Sequence, residues 1–457
     1  MSFLAGHSHP AMVVQCRGIG GFSSMALSAP CLSPVRMLAQ EERGVPFQVG
    51  PAFYRRQSSL ARDLGILLAA LHRQQTGQLR VLDVMSGCGV RSVRYLLQAR
   101  ADFVWANDAC NELMEILALN LSQAQKAATE DFEAREAELE RWRISGEDAN
   151  KLLLGCAVRR EYYDLIDVDS FGSDTLCLGP ALAAVKHGGL VYLTSTDGFS
   201  AGGHRPHNAL ASYGGFVNPT PYANEIGLRM LIGGAVREAA TRNMKIVPVF
   251  SNYSYHGPVF RTMLRVEPGK WLRNRNYGFI VYCKLCGQSQ DIQFEDLGEI
   301  ACRCSHVKAK GSLVVSGPLW LGPLHETEHV KSMIELARQW GWIKALGERS
   351  RSDSPADMRI LEQLLEVMVD ESQPSLPSGY IEMHEVGKRG KLQTTPRRND
   401  FIQLLQQEGF VASRSHVNAN AVKTNCPMDK CIELARSMNA SSQPRQVATS
   451  NGTGSKC

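Results

Sequence analysis

Short apolar segments alternate with longer amphipathic segments from residue 79 onward, which is the pattern of strands alternating with helices. The strands predicted from this pattern cover residues 79–84, 103–106, 163–168 and 190–194. The predicted helices cover residues 62–71, 90–98 and 111–121. Because a strand, helix, strand order gives parallel strands joined by crossover helices, the sequence predicts an α/β fold with a doubly wound, parallel sheet.

The pattern changes near residue 280. Cysteines cluster at residues 283–304, and helical periodicity then continues to about residue 370. Residues 371–396 are rich in Pro, Gly and Ser and are predicted to form a linker or extended arm, followed by a helix at Asn399–Gln407. We therefore expect three segments after residue 46: an α/β domain at 47–280, a smaller α+β domain at 281–440 and a disordered tail at 441–457.

Length and composition narrow the class of protein. The chain has 457 residues, of which 44% are hydrophobic and 21% charged, so it is globular and long enough for two or three domains. No apolar run approaches the ~18 residues of a membrane span, and we expect no membrane partner and a monomer. Thirteen cysteines at uneven spacing are too sparse for a disulfide scaffold and favour a reducing compartment.

The first 40 residues contain no acidic residue, two arginines and six serines. This composition is typical of an organelle transit peptide, and a disordered tail is the alternative. Residues 1–46 are therefore predicted to be disordered or a transit segment. The chain is expected in a chloroplast, a mitochondrion or the nucleus.

A glycine turn follows the first predicted strand of the sheet. Val81–Val84 runs into Ser86-Gly87-Cys88-Gly89, and a helix begins at Val90. The turn lacks the Gly-Lys-Ser/Thr ending of a phosphate loop, but it matches the shorter glycine turn of S-adenosylmethionine-dependent methyltransferases. Ligands of open α/β sheets bind at this edge, outside the carboxyl ends of the strands. An ordinary turn between a strand and a helix is the alternative.

Two further acidic turns strengthen the cofactor interpretation. Asp108 ends the second strand, 25 residues after Asp83, where a carboxylate can accept hydrogen bonds from ribose hydroxyls. Asp148 follows in the next turn, where it can accept from an adenine amino group. A helix cap or turn former is the alternative for each single Asp.

The fourth predicted strand ends in Asp167-Val168-Asp169-Ser170-Phe171-Gly172. An acid followed two residues later by an aromatic is a recurrent arrangement in amino-methyltransferases. The ring of Phe171 stacks on a base, and the acid accepts a hydrogen bond from the exocyclic amine. A metal-binding or capping cluster at the strand end is the alternative.

Four cysteines have the spacing of a structural zinc site. Cys283 and Cys286 are separated by two residues, and Cys302 and Cys304 by one. Four thiolates suit a tetrahedral zinc ion, and free thiols are the alternative.

Two segments combine the features of an RNA-binding surface. Residues 240–275 interleave basic residues with Tyr253, Tyr255, Phe260 and Trp271, and residues 386–398 hold five basic residues and no acid. Such segments fit a phosphate backbone and splayed bases, although a basic run is often just a solvated face. The net charge of only +5 means that a polyanion must bind a local basic patch.

Taken in order, these motifs resemble the tRNA (guanine(26)-N2)-dimethyltransferase family. The motifs in the N-terminal half are Phe53-Tyr54, Arg62-Asp63, Ser86–Arg91, Asn107-Asp108, Asp148–Asn150 and Asp167–Gly172. The C-terminal blocks are Gly317–Leu324, Ala412–His416 and Ala421–Asn425. The resemblance covers residues 47–435 and implies a Rossmann-like class I methyltransferase fold, with S-adenosylmethionine as cofactor and tRNA as partner.

The resemblance also implies roles for individual residues. Asp169 would be the catalytic acceptor for the guanine amine, and Phe53 and Phe171 would sandwich the base. The expected cofactor contacts are Arg62, Asp83, Gly87, Gly89, Arg91, Asp108, Asp148 and Ala149. The expected tRNA contacts are Arg55, Arg56, Lys388, Arg389, Lys391, Arg397, Arg398 and Lys423.

The chain departs from the family pattern at two places. Ser170 stands where the family usually has Pro, and Arg55-Arg56 stands where it often has Asn-Pro. Loss of Pro frees a backbone φ angle, which is expected to loosen the acceptor loop, while the arginines add phosphate contacts. The expected activity is transfer of two methyl groups to guanine N2. The alternatives are an amino-methyltransferase with another substrate and a catalytically weak or silent tRNA-binding homologue.

Overall fold

The computed structural model describes residues 39–130, 141–173, 175–270, 275–302, 304, 311–345 and 356–441. The predicted disordered or transit segment lies outside these residues up to residue 38, and the predicted tail lies outside them from residue 442. None of the helices in the described ranges is long and apolar enough to cross a membrane.

The described residues form the following strands: β1 (Ala39–Glu42), β2 (Val45–Gln48), β3 (Arg80–Asp83), β4 (Phe103–Asn107), β5 (Trp142–Ser145), β6 (Tyr163–Asp169), β7 (Val185–Ser195), β8 (Met244–Ser254), β9 (Val259–Pro268), β10 (Tyr277–Cys283), β11 (Ser289–Ile292), β12 (Leu313–Trp320), β13 (Ile381–Glu382), β14 (Ala412–Arg414) and β15 (Ala421–Thr424). They also form the following helices: α1 (Ser59–Thr76), α2 (Val90–Leu97), α3 (Met114–Glu130), α4 (Ala149–Arg159), α5 (Thr175–Ala184), α6 (Gly198–Ala201), α7 (Pro206–Tyr213), α8 (Ala223–Ala240), α9 (Thr327–Gln339), α10 (Ala356–Glu371), α11 (Met383–Gly390), α12 (Arg398–Gln407) and α13 (Met428–Ser441).

A seven-stranded sheet organises the N-terminal half, with the strand order β5-β4-β3-β6-β7-β9-β8. The five strands from β5 to β7 are parallel, which confirms the α/β prediction. The expectation of a wholly parallel sheet is wrong at one edge, because β9 pairs antiparallel with both β7 and β8. Strands β8 and β9 are joined by a short turn and form a hairpin, which brings consecutive strands together in antiparallel directions.

Helices cover both faces of the sheet, and successive side chains of each strand point to opposite faces. Val81 and Leu165 pack with α1, α2 and α3 on one face, together with α9 and α10. Leu82 and Ile166 pack with α4, α5 and α8 on the other face. Because both faces are buried, the central strands are almost continuously apolar. The carboxyl ends of β3, β4, β6 and β7 lie at the same edge of the sheet.

Two smaller antiparallel sheets follow in the C-terminal half, with the orders β11-β10-β12 and β13-β15-β14. Helices α11 to α13 cover the second of these around their own apolar cluster. The core beside α8 includes Ile280, Leu319, Tyr380 and Ala421, so packing is continuous across residue 280. The boundary at 280 stays a prediction.

The linker predicted at 371–396 is wrong in part, because its apolar positions Met383 and Val386 are buried in α11.

A buried ion pair ties the last sheet to α8. Glu225 accepts hydrogen bonds from Lys423 Nζ at 2.6 Å and from Arg229 Nε at 2.8 Å. Although burial opposes it, the charges of Lys423 and Arg229 lower the pKa of Glu225. The prediction that Lys423 contacts tRNA is wrong, because the side chain lies inside the protein with only 2% of its surface exposed.

A second buried network joins the segment before α9, the end of α10 and the segment after β14. His325 Nε2 lies 2.6 Å from Glu371 Oε1, and His416 Nδ1 contacts the same oxygen. The backbone N–H of Ser251 donates to His325 Nδ1, so the proton of a neutral His325 sits on Nε2 and is donated to Glu371. A protonated Nε2 cannot coordinate a metal, and the cluster is therefore a hydrogen-bonded triad.

We expect Lys423→Met to lower the free energy of unfolding by about 3 kcal/mol, because it removes the main counter-charge of a buried carboxylate. The exposed pair of Lys430 with Glu433 provides a matched control. Lys430→Met should leave the free energy of unfolding nearly unchanged, because solvent screens this exposed pair. Urea unfolding followed by circular dichroism measures both variants. Equal losses would contradict the structural role of Lys423.

Acid should destabilise the protein through His325. Burial lowers the pKa of His325 to about 4 from its usual 6.5, so the folded protein keeps this histidine neutral while the unfolded chain takes up a proton as pH falls below 6.5. Stability contributed by the neutral ring is therefore present above pH 6.5 and is lost toward pH 4. We expect a loss of about 2 kcal/mol between pH 7 and pH 5 from this residue.

His325→Gln removes this titration while keeping an amide to donate to Glu371. Its free energy of unfolding should fall less steeply over the same pH range than that of the wild type. His384, whose side chain is 74% exposed, supplies the control His384→Gln, which should follow the wild-type slope. A wild-type slope in the His325 variant would show that another group controls acid sensitivity.

Candidate active site

A cavity of about 650 Å³ lies at the carboxyl ends of β3, β4, β6 and β7. It brings together most of the residues that were predicted to contact the cofactor or the target base, and also Arg55, a predicted tRNA contact. These are Phe53, Arg55, Arg62, Gly87, Arg91, Asp108, Asp148, Ala149, Asp169 and Phe171. These residues are spread over more than 100 positions of the sequence, and the parallel strands bring them together, as expected for an open α/β sheet.

The glycine turn forms one side of this cavity. Gly87 has a φ of 56°, and a Cβ at this position would meet no atom within 4 Å, so its backbone faces open space. Its N–H donates to Asp108 Oδ2 at 2.9 Å, while Asp108 Oδ1 accepts from the N–H of Cys110. Each carboxylate oxygen keeps a second lone pair, so Asp108 can still accept hydrogen bonds from a ligand.

Two predicted cofactor contacts do not line the cavity. Asp83 is 1% exposed and accepts a hydrogen bond from Ser92 Oγ at 2.7 Å. Burial, and then the charge of Asp167, raise the pKa of Asp83 well above its usual value, and the side chain lies behind the site. Gly89 allows the turn to pack, because a Cβ there would lie 2.8 Å from Leu117 Cδ2.

Asp148 and Ala149 begin α4 at the far side of the same cavity. Asp148 Oδ1 accepts from the N–H of Lys151 at 3.0 Å, so the capping interpretation is correct for this oxygen. The residue nevertheless lines the cavity, and Ala149 forms the buried wall next to it.

Asp169 is the carboxylate that faces the cavity from β6. Its Oδ2 lies 2.8 Å from Arg91 Nη2, and its side chain is 34% exposed. Burial alone would raise the pKa of Asp169, but the charges of Arg91 and Arg261 lower it below its usual value. An ionised oxygen acceptor therefore stands at the cavity wall.

Asp167 lies behind Asp169 and shares Arg91 with it. The side chain is fully buried, accepts from Tyr95 OH at 2.8 Å and pairs with Arg91 Nη1. Burial raises the pKa of Asp167 more than Arg91 lowers it. Arg91 is thus the support of the acceptor carboxylate, a role that the sequence motif did not indicate.

The acceptor loop after Asp169 is held without the family's Pro. Ser170 Oγ donates to the carbonyl of Thr194 at 2.9 Å, and the N–H of Gly172 donates to Thr196 Oγ1 at 2.6 Å. Ser195 Oγ donates to the carbonyl of Gly172 at 2.9 Å. These bonds tie the loop to the end of β7, and the loosening expected at Ser170 stays a prediction.

Phe53 and Phe171 meet at the mouth of the cavity. Their ring centroids are 5.3 Å apart at an interplanar angle of 75°, and both side chains are mostly exposed. Edge-to-face rings leave no parallel gap, so the predicted base sandwich requires the two rings to separate and turn. The predicted pair is therefore adjacent but not in a sandwich arrangement.

Arg62 is positioned by a residue that the sequence analysis missed. Its Nε donates to Glu42 Oε2 at 2.9 Å, and Arg94 Nη1 and Tyr54 OH donate to the same carboxylate. Glu42 lies in the hairpin of β1 and β2, so the prediction of disorder to residue 46 is wrong from residue 39. The signal was available in the alternation of buried Val45, Phe47 and Val49.

Arg261 is a second residue that sequence reasoning missed. It lies on β9, is 3% exposed and lines the cavity next to Asp169. Its Nη1 donates to Ser254 Oγ at 3.0 Å, and its Nη2 approaches Ser58 Oγ at 3.3 Å. The sequence indicated only that Arg261 belongs to a basic segment. The antiparallel strand β9 places its side chain at the cavity.

The four predicted cysteine ligands come together. Cys283 Sγ lies 3.8 Å from Cys304 Sγ, and Cys286 Sγ lies 3.4 Å from Cys302 Sγ. All four sulfur atoms lie within 4.8 Å of one another. These separations exceed the ~2.05 Å of a disulfide and suit thiolates around one ion with ~2.3 Å metal–sulfur bonds.

The predicted tRNA contacts differ in their exposure and in their hydrogen-bond partners. Lys388, Lys391 and Arg397 are exposed on or beside α11 and α12. Arg389 is used within the fold, donating to Glu385 Oε1 at 2.9 Å and to the carbonyl of Leu285 in the cysteine loop. Arg398 donates to Asn399 and to the carbonyl of Ala419. Arg55 lines the active-site cavity, and Arg56 lines a neighbouring cavity.

Comparison with known proteins gives the family. The model of the family described as N2,N2-dimethylguanosine tRNA methyltransferase matches residues 35–436. The tRNA (guanine(26)-N(2))-dimethyltransferase of Thermococcus kodakarensis is 28% identical over 397 residues, covering 85% of this chain and 94% of the relative. The enzyme of the same name from Pyrococcus abyssi is 27% identical over 393 residues, covering 85% and 93% of the two chains.

A solved structure agrees with the sequence comparison. Trm1 from Pyrococcus horikoshii, in complex with S-adenosyl-L-methionine, is 26% identical with a TM-score of 0.69. The alignment covers 87% of this chain and 99% of that one. A match that includes both the sheet and the C-terminal half means that the chain belongs to the N2,N2-dimethylguanosine tRNA methyltransferase family.

Proposed function

We propose that this chain is an S-adenosylmethionine-dependent tRNA (guanine(26)-N2)-dimethyltransferase, which transfers two methyl groups to the exocyclic N2 of guanine. One observation carries the proposal. Asp169, ionised by Arg91 and Arg261, faces a cavity that also contains the glycine turn and two exposed aromatic rings. A base amine and a methyl donor can therefore meet beside one hydrogen-bond acceptor.

The residues around the glycine turn fit S-adenosylmethionine, which supplies an electrophilic methyl group when bound. Gly87 allows close backbone approach, and Asp108 keeps lone pairs for ribose hydroxyls. Asp148 and Ala149 border the space for the adenine. Arg62 uses Nε and Nη2 on Glu42 and Arg55, so its Nη1 has no partner among the described residues and is free for a carboxylate.

Asp169 holds the target amine in the reactive orientation. Its carboxylate accepts a hydrogen bond from one N–H of guanine N2, which directs the nitrogen lone pair toward the methyl carbon. With the donor bound, the S–C bond would break as the N–C bond forms, and S-adenosylhomocysteine would be left. The nitrogen becomes more acidic in this step, and its proton passes to Asp169 and then to solvent. The remaining N–H can bind Asp169 in the same way for the second transfer.

The guanine must leave the tRNA stack to reach Asp169, at a cost of a few kcal/mol. Phe53 and Phe171 are the rings available to stack on the extruded base, after they separate. Lys388, Lys391 and Arg397 form an exposed basic face that fits the phosphate backbone. In this proposal, one tRNA contacts both the cavity and these basic residues.

The four cysteines support a structural zinc ion. A Cys₄ site is closed, so the ion would stabilise the loop between β10 and β12 and take no part in the chemistry. Arg389 reaches this loop through the carbonyl of Leu285. The ion would therefore also fix the position of α11 with its basic residues.

Asp169→Asn should lower methyl transfer to unmodified tRNA by about 100-fold or more, because a neutral amide cannot accept the amine proton. S-adenosylhomocysteine should bind the variant with unchanged affinity. Labelled methyl transfer followed by nucleoside separation measures the rate and shows which base is modified. Asp102→Asn, at the opposite end of β4, is the control and should retain activity.

The same assay separates the alternatives. Unchanged transfer by Asp169→Asn would remove the proposed role of that residue. Wild-type protein that binds tRNA but transfers no methyl would favour a silent homologue. Methylation of a different nucleoside would favour an enzyme with another substrate.

Purified protein should contain one zinc ion per chain, measured by plasma emission spectroscopy. Cys286→Ser should lower both the zinc content and the midpoint of thermal unfolding, because three ligands hold the ion more weakly. Cys110→Ser, at an exposed cysteine outside the cluster, should change neither value. Protein that is folded and active without zinc would refute the metal assignment.

A further inference from the structure

A second cavity lies next to the active site and has a volume of about 320 Å³. The same two chain segments border both cavities. Ser58 and Gly257 line the active site, whereas Gln57 and Tyr255 line the second cavity. Arg55 Nη1 donates to the carbonyl of His256 at 3.2 Å and closes the wall between them. The second cavity is therefore adjacent to the place where the target base enters.

An exposed aromatic ring borders the second cavity. Tyr255 has 78% of its surface exposed. Its ring lies against the imidazole of His256, with centroids 3.9 Å apart and an interplanar angle of 39°. This contact supports the ring while most of its surface stays accessible. A supported, accessible aromatic ring is the usual platform on which an unpaired base stacks.

A buried amide lies in the wall of the same cavity. Asn252 on β8 is only 3% exposed, yet its side-chain amide has no hydrogen-bond partner among the described residues. The amide atoms are not fully enclosed by protein, so they open onto the cavity and are available to a ligand there. An Asn side chain both donates and accepts, which suits the polar edge of a nucleobase.

The charges of the cavity favour a base with one phosphate over a free polyanion. Arg43 has a side chain that is only 14% exposed and is held by Asp63, whose carboxylate lies 2.8 Å away and also pairs with Arg94. Arg56 is exposed and has no side-chain partner among the described residues. The carboxylate of Asp357 also borders the cavity and would repel a ligand with several phosphates. One cation is thus available at the rim.

We propose that this cavity binds the nucleotide adjacent in the tRNA to the target guanine. Its base stacks on Tyr255, its polar edge bonds to Asn252, and the phosphate between the two nucleotides contacts Arg56. This inference rests on the proposed function, since it assigns a second nucleotide of the same substrate. Contacts to flanking nucleotides anchor an extruded base and make its modification depend on sequence context.

The test compares tRNA transcripts that are intact or carry an abasic residue on either side of the target guanine. For wild-type protein, one of the two abasic substrates should lose about tenfold in kcat/KM, mainly through KM. Tyr255→Ala should lose about tenfold on intact tRNA and lose nothing more on that abasic substrate. Tyr255→Phe, which keeps the ring, should behave like the wild type.

Two measurements guard against a merely structural effect of the substitution. Tyr255→Ala should keep the wild-type affinity for S-adenosylhomocysteine and the wild-type midpoint of thermal unfolding. Tyr162→Ala, which removes an exposed tyrosine at the amino end of β6, should retain full kcat/KM. Asn252→Ala should reduce the preference of the enzyme among the four bases at the flanking position.

The outcomes separate this inference from the function on which it rests. Wild-type kcat/KM in Tyr255→Ala, or equal losses on intact and abasic tRNA, would overturn the second base site and leave the methyltransferase assignment intact. A wild-type protein that transfers no methyl to tRNA would overturn the proposed function and the second base site together.

Discussion

The active site depends on one arginine that is shared between two carboxyl groups. Arg91 pairs with Asp167 and Asp169, which project from the end of β6. Asp83, opposite Asp167 on the neighbouring strand, adds a third carboxyl group to the same small volume. One guanidinium only partly offsets three neighbouring carboxyl groups, so burial raises the pKa of Asp83 and Asp167. The charges of Arg91 and Arg261 lower the pKa of Asp169, which favours this cavity-facing residue as the ionised acceptor.

The rest of the fold keeps that arrangement in place. Glu42 anchors the N-terminal hairpin to Arg62 and Arg94, and this fixes the segment that carries Phe53 and Arg55. The hydrogen bonds of Ser170 hold the acceptor loop against β7. On the far side, the buried pair of Glu225 with Lys423 connects α8 to the C-terminal sheet. This pair therefore links the large sheet, through α8, to the C-terminal sheet that α11 and α12 cover.

Local sequence was sufficient where one segment determines a feature. The glycine turn, the strand ends at Asp108 and Asp169 and the four cysteines were all located from spacing alone. Features that depend on tertiary contact were missed or misassigned. Arg261 reaches the cavity only because β9 is antiparallel, and Lys423 is buried because it meets Glu225 from a helix 198 residues away. Asp83 and Asp169 both end strands, but only the tertiary structure places Asp83 behind the site and Asp169 in the cavity beside Arg91 and Arg261.

The pH dependence of single-turnover methyl transfer to tRNA tests the central claim most directly. If Arg91 and Arg261 keep Asp169 ionised, the rate should be constant from about pH 8 down to about pH 5.5, with folding checked by circular dichroism at each pH. Neutralising the shared cation in Arg91→Gln should move the loss of rate to higher pH. A wild-type rate that already falls with a midpoint near neutral pH would contradict the account, because the acceptor would then carry a proton under working conditions.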